Sequence, residues 1–210
     1  MRIELSIWLL PLLAYLMGSI PIAWIVGMLF YKKDIRKAGS GNVGATNALR
    51  LFGTTTGVVV LILDLAKGFV ATFLAKGIFP EGSPWVAVCA LLVIMGHVFP
   101  LFLGFKGGKG VATAGGAFLA LQPLSLFFAL LVFALIVALT RYVSLGSVCA
   151  ALFFLFHSLW RIRAAEQADY ASVVLITVVV LMIVLKHRAN IVRLLQGTEN
   201  KIKFSKKGKV

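Results

Sequence analysis

The sequence predicts an all-α polytopic membrane protein with seven transmembrane helices, one of them short, an outside N-terminus and a cytoplasmic C-terminus. Three observations lead there. The 210 residues are 60% hydrophobic and 13% charged, with mean hydropathy +1.00, whereas a soluble domain carries roughly 25% charged residues. The apolar residues fall in long runs, several near the ~20 residues that cross a bilayer, and so short a chain cannot bury them all in one aqueous core. Lys and Arg number 21 against 7 Asp and Glu, a net charge of +14, and they gather between the runs.

The first run, 5–30, is too long for a signal-peptide core and no small-x-small site follows it, so it reads as a retained span. Further runs lie at 54–76, 85–103, 111–121, 123–139, 143–160 and 170–187. The run 111–121 stops at Gln122-Pro123; a half-span, a re-entrant element and a full span all fit it. Pro80-Glu81-Gly82-Ser83-Pro84 is a turn, and Arg161 to Asp169 a mixed-charge connector. With the N-terminus outside, Arg2, Lys76, Arg161 and Arg163 are the four basic residues on the outer side. Sixteen fall on the inner side and Lys67 lies within a span, which completes the 21 and fixes the expected orientation. One transmembrane unit, 1–196, is followed by a basic cytoplasmic tail, 197–210, for which a place on the inner membrane surface and a flexible end fit equally. Most of the positive charge is thus topological, and no nucleic-acid motif accompanies it.

Three segments on that inner side carry chemistry. Ser40-Gly41-Asn42-Val43-Gly44-Ala45-Thr46-Asn47, closed by Arg50, joins close-approach glycines to neutral hydrogen-bonding groups and a guanidinium that grips phosphate bidentately. Gly104-Phe105-Lys106-Gly107-Gly108-Lys109-Gly110, then Val111-Ala112-Thr113, resembles a phosphate-binding loop. It is not the nucleotide type: its spacing is one residue short, Gly rather than Ser or Thr follows the Lys, and no strand precedes it. Glycine amides, two lysines and a following helix N-terminus still make an anion site. In Lys186-His187-Arg188-Ala189-Asn190-Ile191-Val192-Arg193, His187 and Asn190 share a face if the last helix runs through.

Smaller features are less decisive. Asp64 and Lys67, at i and i+3 within a span, are expected to pair structurally. His97 reads equally as a packing or a site residue. Ser144 and Ser147 begin a span from the inner side and can face the loops. Cys89 and Cys149, both in apolar runs, offer neither disulfide nor metal spacing. The seven acids do not cluster, so no metal is expected.

Together the three segments resemble the bacterial integral-membrane acyl-phosphate:glycerol-3-phosphate acyltransferase family, PlsY. The matching residues are Ser40-Gly41-Asn42-x-Gly44-Ala45-Thr46-Asn47, then Gly96-His97-x-x-Pro100-x-Phe102-Leu103-x-Phe105-Lys106-Gly107-Gly108-Lys109-Gly110-Val111-Ala112-Thr113, and Lys186-His187-Arg188-x-Asn190-Ile191-x-Arg193-Leu194. The resemblance implies seven spans, a site at the cytoplasmic face of the bacterial inner membrane, and no cofactor. It also implies transfer of a fatty acyl group from acyl phosphate to the 1-hydroxyl of sn-glycerol 3-phosphate, giving lysophosphatidic acid and phosphate. On this footing Ser40, Arg50, Lys109, His187 and Asn190 are the expected catalytic set. Asn42, Thr46, Asn47, Lys106, Gly107, Gly108, Lys109, Gly110 and Thr113 are assigned to acyl phosphate. Ser40, Arg50, Ser147, His187 and Asn190 go to glycerol 3-phosphate. Two candidates for the base stay open, His187 and the substrate's own phosphate. Expected partners are the two substrates and membrane lipid, without nucleic acid, and the expected state is a monomer.

Overall fold

A computed structural model describes residues 2–164 and 169–202; the lysines of the tail at 203–210 lie outside the described residues. The described residues form helices joined by turns and loops. The expected first span is two helices, α1 (Arg2–Ser19) and α2 (Ile22–Tyr31), bent by 41°. Pro21 causes the break: it has no N–H, and Ile22 N–H turns to the Ile20 carbonyl (3.1 Å), so the Gly18 carbonyl is freed from the helix ladder. A short turn at Ile35–Lys37 then leads to α3 (Ala45–Phe52), a helix where the sequence suggested only a loop.

The remaining runs appear as α4 (Thr54–Ile78), α5 (Pro84–Val98), α6 (Val111–Leu121), α7 (Pro123–Thr140), α8 (Val143–Ala164) and α9 (Tyr170–Lys186). A final helix, α10 (Arg188–Leu195), is bent by 52° from α9. Among the described residues, four helices are long and apolar enough to cross a membrane, or up to six spans if each bent pair is one. Apolar side chains such as Leu61, Ile62, Phe73, Phe127, Leu130 and Leu139 stand exposed along α4 and α7, as lipid-facing surfaces require.

Glycines set two close helix crossings. Gly18 and Gly96 bring α1 and α5 together, each lying where a Cβ would overlap a carbonyl of the other helix, Val93 and Tyr15 respectively. Gly68 and Gly116 do the same for α4 and α6, against Thr113 and Leu65. Side chains this small are what allow backbones to touch in lipid.

These crossings place several helix ends at one depth. His97, at the end of α5, reaches Asp64 of α4 (Nδ1 to Oδ1, 3.4 Å). Asp64 lies ten residues after Thr54, ~15 Å along the helix. Lys67 Nζ donates to the carbonyls of Gly18 and Ile20 at the α1–α2 break (3.0 and 3.2 Å). The glycine loop after α5 therefore starts about 15 Å inside the end of α4. The short α6 begins at that recessed level, and Lys76 near the far end of α4 caps its Ala120 carbonyl (2.9 Å). With 11 residues, α6 is shorter than the ~20 that cross a bilayer.

Candidate active site

The first loop is shaped from within. Asn47, buried in the first turn of α3, donates to the carbonyls of Ile35 and Ala38 (3.2 Å each) and accepts from the Ser40 N–H (3.0 Å). Its amide is used up by the loop backbone, so its contacts shape the loop rather than face acyl phosphate. Gly39 and Gly41 turn the chain at φ +62 and +70, and a Cβ on Gly39 would overlap the Asn47 side chain. Ser40 stands exposed beside half-buried Asn42 and Thr46. Arg50, in the last turn of α3, donates through Nη2 to the Asn200 carbonyl (3.2 Å), while its buried Nε has no partner.

The second loop is tied back to α5. Gly107 N–H donates to the Val98 carbonyl (3.3 Å) and Gly108 N–H to the His97 carbonyl (3.0 Å). These two amides are therefore spent on the fold, contrary to the expectation that they face an anion. The free donors are instead the first-turn amides of α6, which have no intrahelical acceptor. Gly110 allows this geometry, since φ is +85 where the chain swings into α6. Thr113, fully buried, has an Oγ1 without a partner. Lys106 is exposed, whereas Lys109 is partly buried and its Nζ donates to Asn190 Oδ1.

The third segment does not continue α9. The helix ends at Lys186, and His187 is both its C-cap and the first residue before α10. His187 and Asn190 are nonetheless both buried at the site. His187 Nδ1 lies 2.8 Å from the Ile183 carbonyl. A carbonyl only accepts, so Nδ1 carries the proton and Nε2 is left as the acceptor of the neutral ring. Burial, followed by the neighbouring Lys109 charge, holds His187 down to about 4, with Ile183 and Glu199 pulling weakly the other way.

Glu199 is the centre that the sequence did not reveal. Its carboxylate accepts from Asn190 Nδ2 (2.7 Å), Arg193 Nε (2.7 Å) and Ser144 Oγ (2.8 Å). Burial alone would raise its pKa, but these hydrogen bonds outweigh that and hold it below the usual 4.5. Lys109, Asn190, Glu199, Arg193 and Ser144 thus form one connected network, with Arg50 alongside. Of the two serines near the start of α8, Ser144 joins it. Ser147, the one assigned to substrate, turns its hydroxyl to the Val143 carbonyl of its own helix (2.9 Å). Burial lowers Lys109 to about 8; Glu199 opposes this, and Arg193 and Arg50 add to it.

Residues 197–202 are part of the packed unit rather than a separate tail. Thr198 N–H donates to the Arg193 carbonyl (2.8 Å), and Ile202 N–H to the Arg141 carbonyl (2.9 Å). The available signal was a lone acid, Glu199, two residues after Gly197 in an otherwise basic stretch.

Residues 8–197 match the family described as Glycerol-3-phosphate acyltransferase. The chain belongs to the glycerol-3-phosphate acyltransferase family. It is 47% identical over 191 residues to Glycerol-3-phosphate acyltransferase 2 of Bacillus anthracis, covering 91% of this chain and 96% of the relative. Identity to Glycerol-3-phosphate acyltransferase of Geobacter sulfurreducens is 44% over 198 residues, 93% of this chain and 97% of the relative. The fold matches a crystal structure of PlsY (YgiH), an integral membrane glycerol 3-phosphate acyltransferase, in its glycerol 3-phosphate form. The TM-score is 0.87 at 38% identity, covering 94% of this chain and 96% of that one. The form of the same protein with lysophosphatidic acid matches with TM-score 0.84 at 37% identity, covering 95% of this chain and 96% of that one. The acyltransferase fold is therefore shared along nearly the whole chain, and the network around Lys109 and Glu199 lies within or directly after the matched residues.

Proposed function

We propose that the protein transfers a fatty acyl group from acyl phosphate to the 1-hydroxyl of sn-glycerol 3-phosphate, releasing lysophosphatidic acid and inorganic phosphate. The observation that carries this reading is the meeting of the second and third segments at the Lys109–Asn190 hydrogen bond, beside an Arg50 Nε with no partner of its own. Two phosphorylated substrates need two anion sites. Lys109 and the first-turn amides of α6 suit the acyl phosphate, with Lys106 at the rim. Arg50, His187, Asn190 and Ser40 suit glycerol 3-phosphate. Thr113 lies in the first turn of α6, Ser147 follows Ser144 on α8, and Asn42, Thr46 and Asn47 form the first loop.

The substrate hydroxyl attacks the acyl carbon, the carbon–oxygen bond to phosphate breaks, and the phosphate leaves as an anion. Lys109 and the α6 amides neutralise that leaving group, which is where charge builds. The hydroxyl proton goes to the phosphate of glycerol 3-phosphate or to the His187 Nε2 lone pair. Glu199 acts by holding Asn190 and Arg193 in place. The acceptor phosphate is the simpler base, because it arrives with the hydroxyl and needs no further residue; His187 then orients it.

The membrane arrangement belongs to the same proposal. The sixteen-to-four division of basic residues puts the loop end in the cytoplasm and the N-terminus outside, with α6 as a seventh, short span. The unit acts as a monomer, one transmembrane domain continuing through the docked residues 197–202.

The test uses purified protein in detergent with acyl phosphate and glycerol 3-phosphate, following phosphate release and lysophosphatidic acid together. Equal amounts of both products, and none with acyl-CoA as donor, are expected. Product formation from acyl-CoA alone would overturn the donor assignment. For the base, His187→Asn retaining near-parental turnover with an unshifted pH profile supports the substrate phosphate, and complete loss would return the role to His187.

A further inference from the structure

The cluster of Asp64, Lys67 and His97 lies behind the glycine loop, and the reaction above gives it no part. All three are buried, at 2%, 7% and 8% exposure. Burying charge in a membrane domain is costly, so each group should have a reason to be there. Lys67 has one: its ammonium takes the Gly18 carbonyl left over at the Pro21 break and the Ile20 carbonyl beside it (3.0 and 3.2 Å). Asp64 neutralises Lys67 at 2.8 Å, as an ion pair rather than an aligned hydrogen bond. Neutralising Lys67 does not require His97, yet His97 Nδ1 also stands 3.4 Å from Asp64 Oδ1.

The other edge of His97 supplies the reason. Its Nε2 abuts Gly108 so closely that a Cβ there would overlap the ring, and its carbonyl accepts the Gly108 N–H (3.0 Å). A Cβ on Gly107 would likewise overlap the His97 carbonyl and the Pro100 ring. The cluster and the loop together line a void of only about 10 Å³, room for no more than a single water. With so little slack, a turn of the imidazole moves Gly108, and Lys109 follows it in the chain.

We propose that Asp64 is a positioning residue: by holding the His97 ring against Gly108 it sets the height of the glycine loop, and with it the place of Lys109 at the substrate phosphate. This rests on the reading of that loop as a phosphate site. Asp64 touches no substrate. Its effect passes through His97 and the loop, so it should appear in the KM of the substrate that the loop holds.

The test must separate positioning from simple stability. Asp64→Leu with Lys67→Gln removes both charges, keeps an amide donor for the two carbonyls and fills the Asp64 site. Replacing both members of a buried pair with groups of similar size is often close to neutral. The double variant is expected to melt within about 5 °C of the parent in detergent. Its KM for one substrate should nevertheless rise about tenfold, the scale of a slightly misplaced site. Lys109→Gln shows which substrate that is. A double variant with parental KM values for both substrates overturns the positioning role, as does a rise confined to the substrate that Lys109→Gln leaves alone. If Lys109→Gln raises neither KM, the phosphate-loop reading itself falls and the proposal falls with it. Should the double variant not fold, Asp64→Asn is judged by the same KM criterion.

Discussion

Among the described residues, two buried carboxylates sit among cations, and they are used differently. Asp64 lies between Lys67 and His97 at the junction of α1, α4 and α5, and Lys67 divides its ammonium between the carboxylate and two backbone carbonyls. Glu199 lies among Arg193, Asn190 and Ser144 at the loop end, but around it cationic capacity is left over. Arg50 Nε has no partner there, and burial brings Lys109 down to about 8. The difference teaches where a ligand can act. A balanced centre fixes geometry, whereas a centre with spare donors and a half-open rim is prepared to receive an anion.

The comparison can be broken most forcefully at Lys109. Lys109→Ala removes the cation of the open centre and should lower kcat/KM about 10²- to 10³-fold while the protein melts near the parental temperature. Phosphate release and thermal unfolding in detergent measure the two together. A loss of folding comparable to the loss of activity would make the open centre structural, like the closed one.

Glu199→Ala should act on both. It strips Arg193, Asn190 and Ser144 of their shared acceptor, and about 1–3 kcal/mol of stability is expected to go, discounted because Arg193 is partly exposed. The pH dependence gives the sign. The carboxyl is held below its ordinary 4.5, so its contribution is complete above that value and is lost as pH falls through the lowered one. Melting curves of parent and Glu199→Ala should therefore converge on acidification.

Lys109 makes a third test. With its pKa near 8, the free enzyme loses the charge above that pH, and kcat/KM should decline there by about tenfold per pH unit. Lys109→Arg keeps its charge and should remove this limb, whatever its absolute activity. A limb that persists unchanged in Lys109→Arg assigns it to another group.

The smallest effect is expected at a third ion pair, Asp34 with Arg36, which is as short as 2.7 Å but lies at the surface. Asp34→Asn should change stability by no more than about 1 kcal/mol, because water screens such a pair. A larger change would mean that the first loop depends on this pair more than on Asn47.

Much of this was legible along the chain. The helical runs stand close to where the apolar segments predict them, and Asp64 and Lys67 pair as i, i+3 neighbours on a helix must. Lys109, Asn190 and His187 come together from segments that the residue types alone had marked. Other features were not legible. The break at Pro21 hides in a run whose hydropathy never drops. The depth of the glycine loop depends on where Gly68 meets Gly116. Glu199 resembled one acid in a basic tail, because nothing near it in sequence reveals that Ser144, 55 residues away, is its partner.

The sequence by itself determined the solvent and the inventory: a lipid-embedded helical chain, its basic residues kept between the apolar runs, and three polar segments able to hold phosphate. These are properties of composition and local periodicity, which short-range forces enforce wherever the segment ends up. Tertiary structure alone decided which groups are spent and which are free. Gly107 and Gly108 turned out to be tied to α5, Ser144 rather than Ser147 entered the network, and Lys109 met Asn190 across 81 residues. Such pairings follow from helix lengths, breaks and crossing points acting together, and no single stretch of sequence contains them.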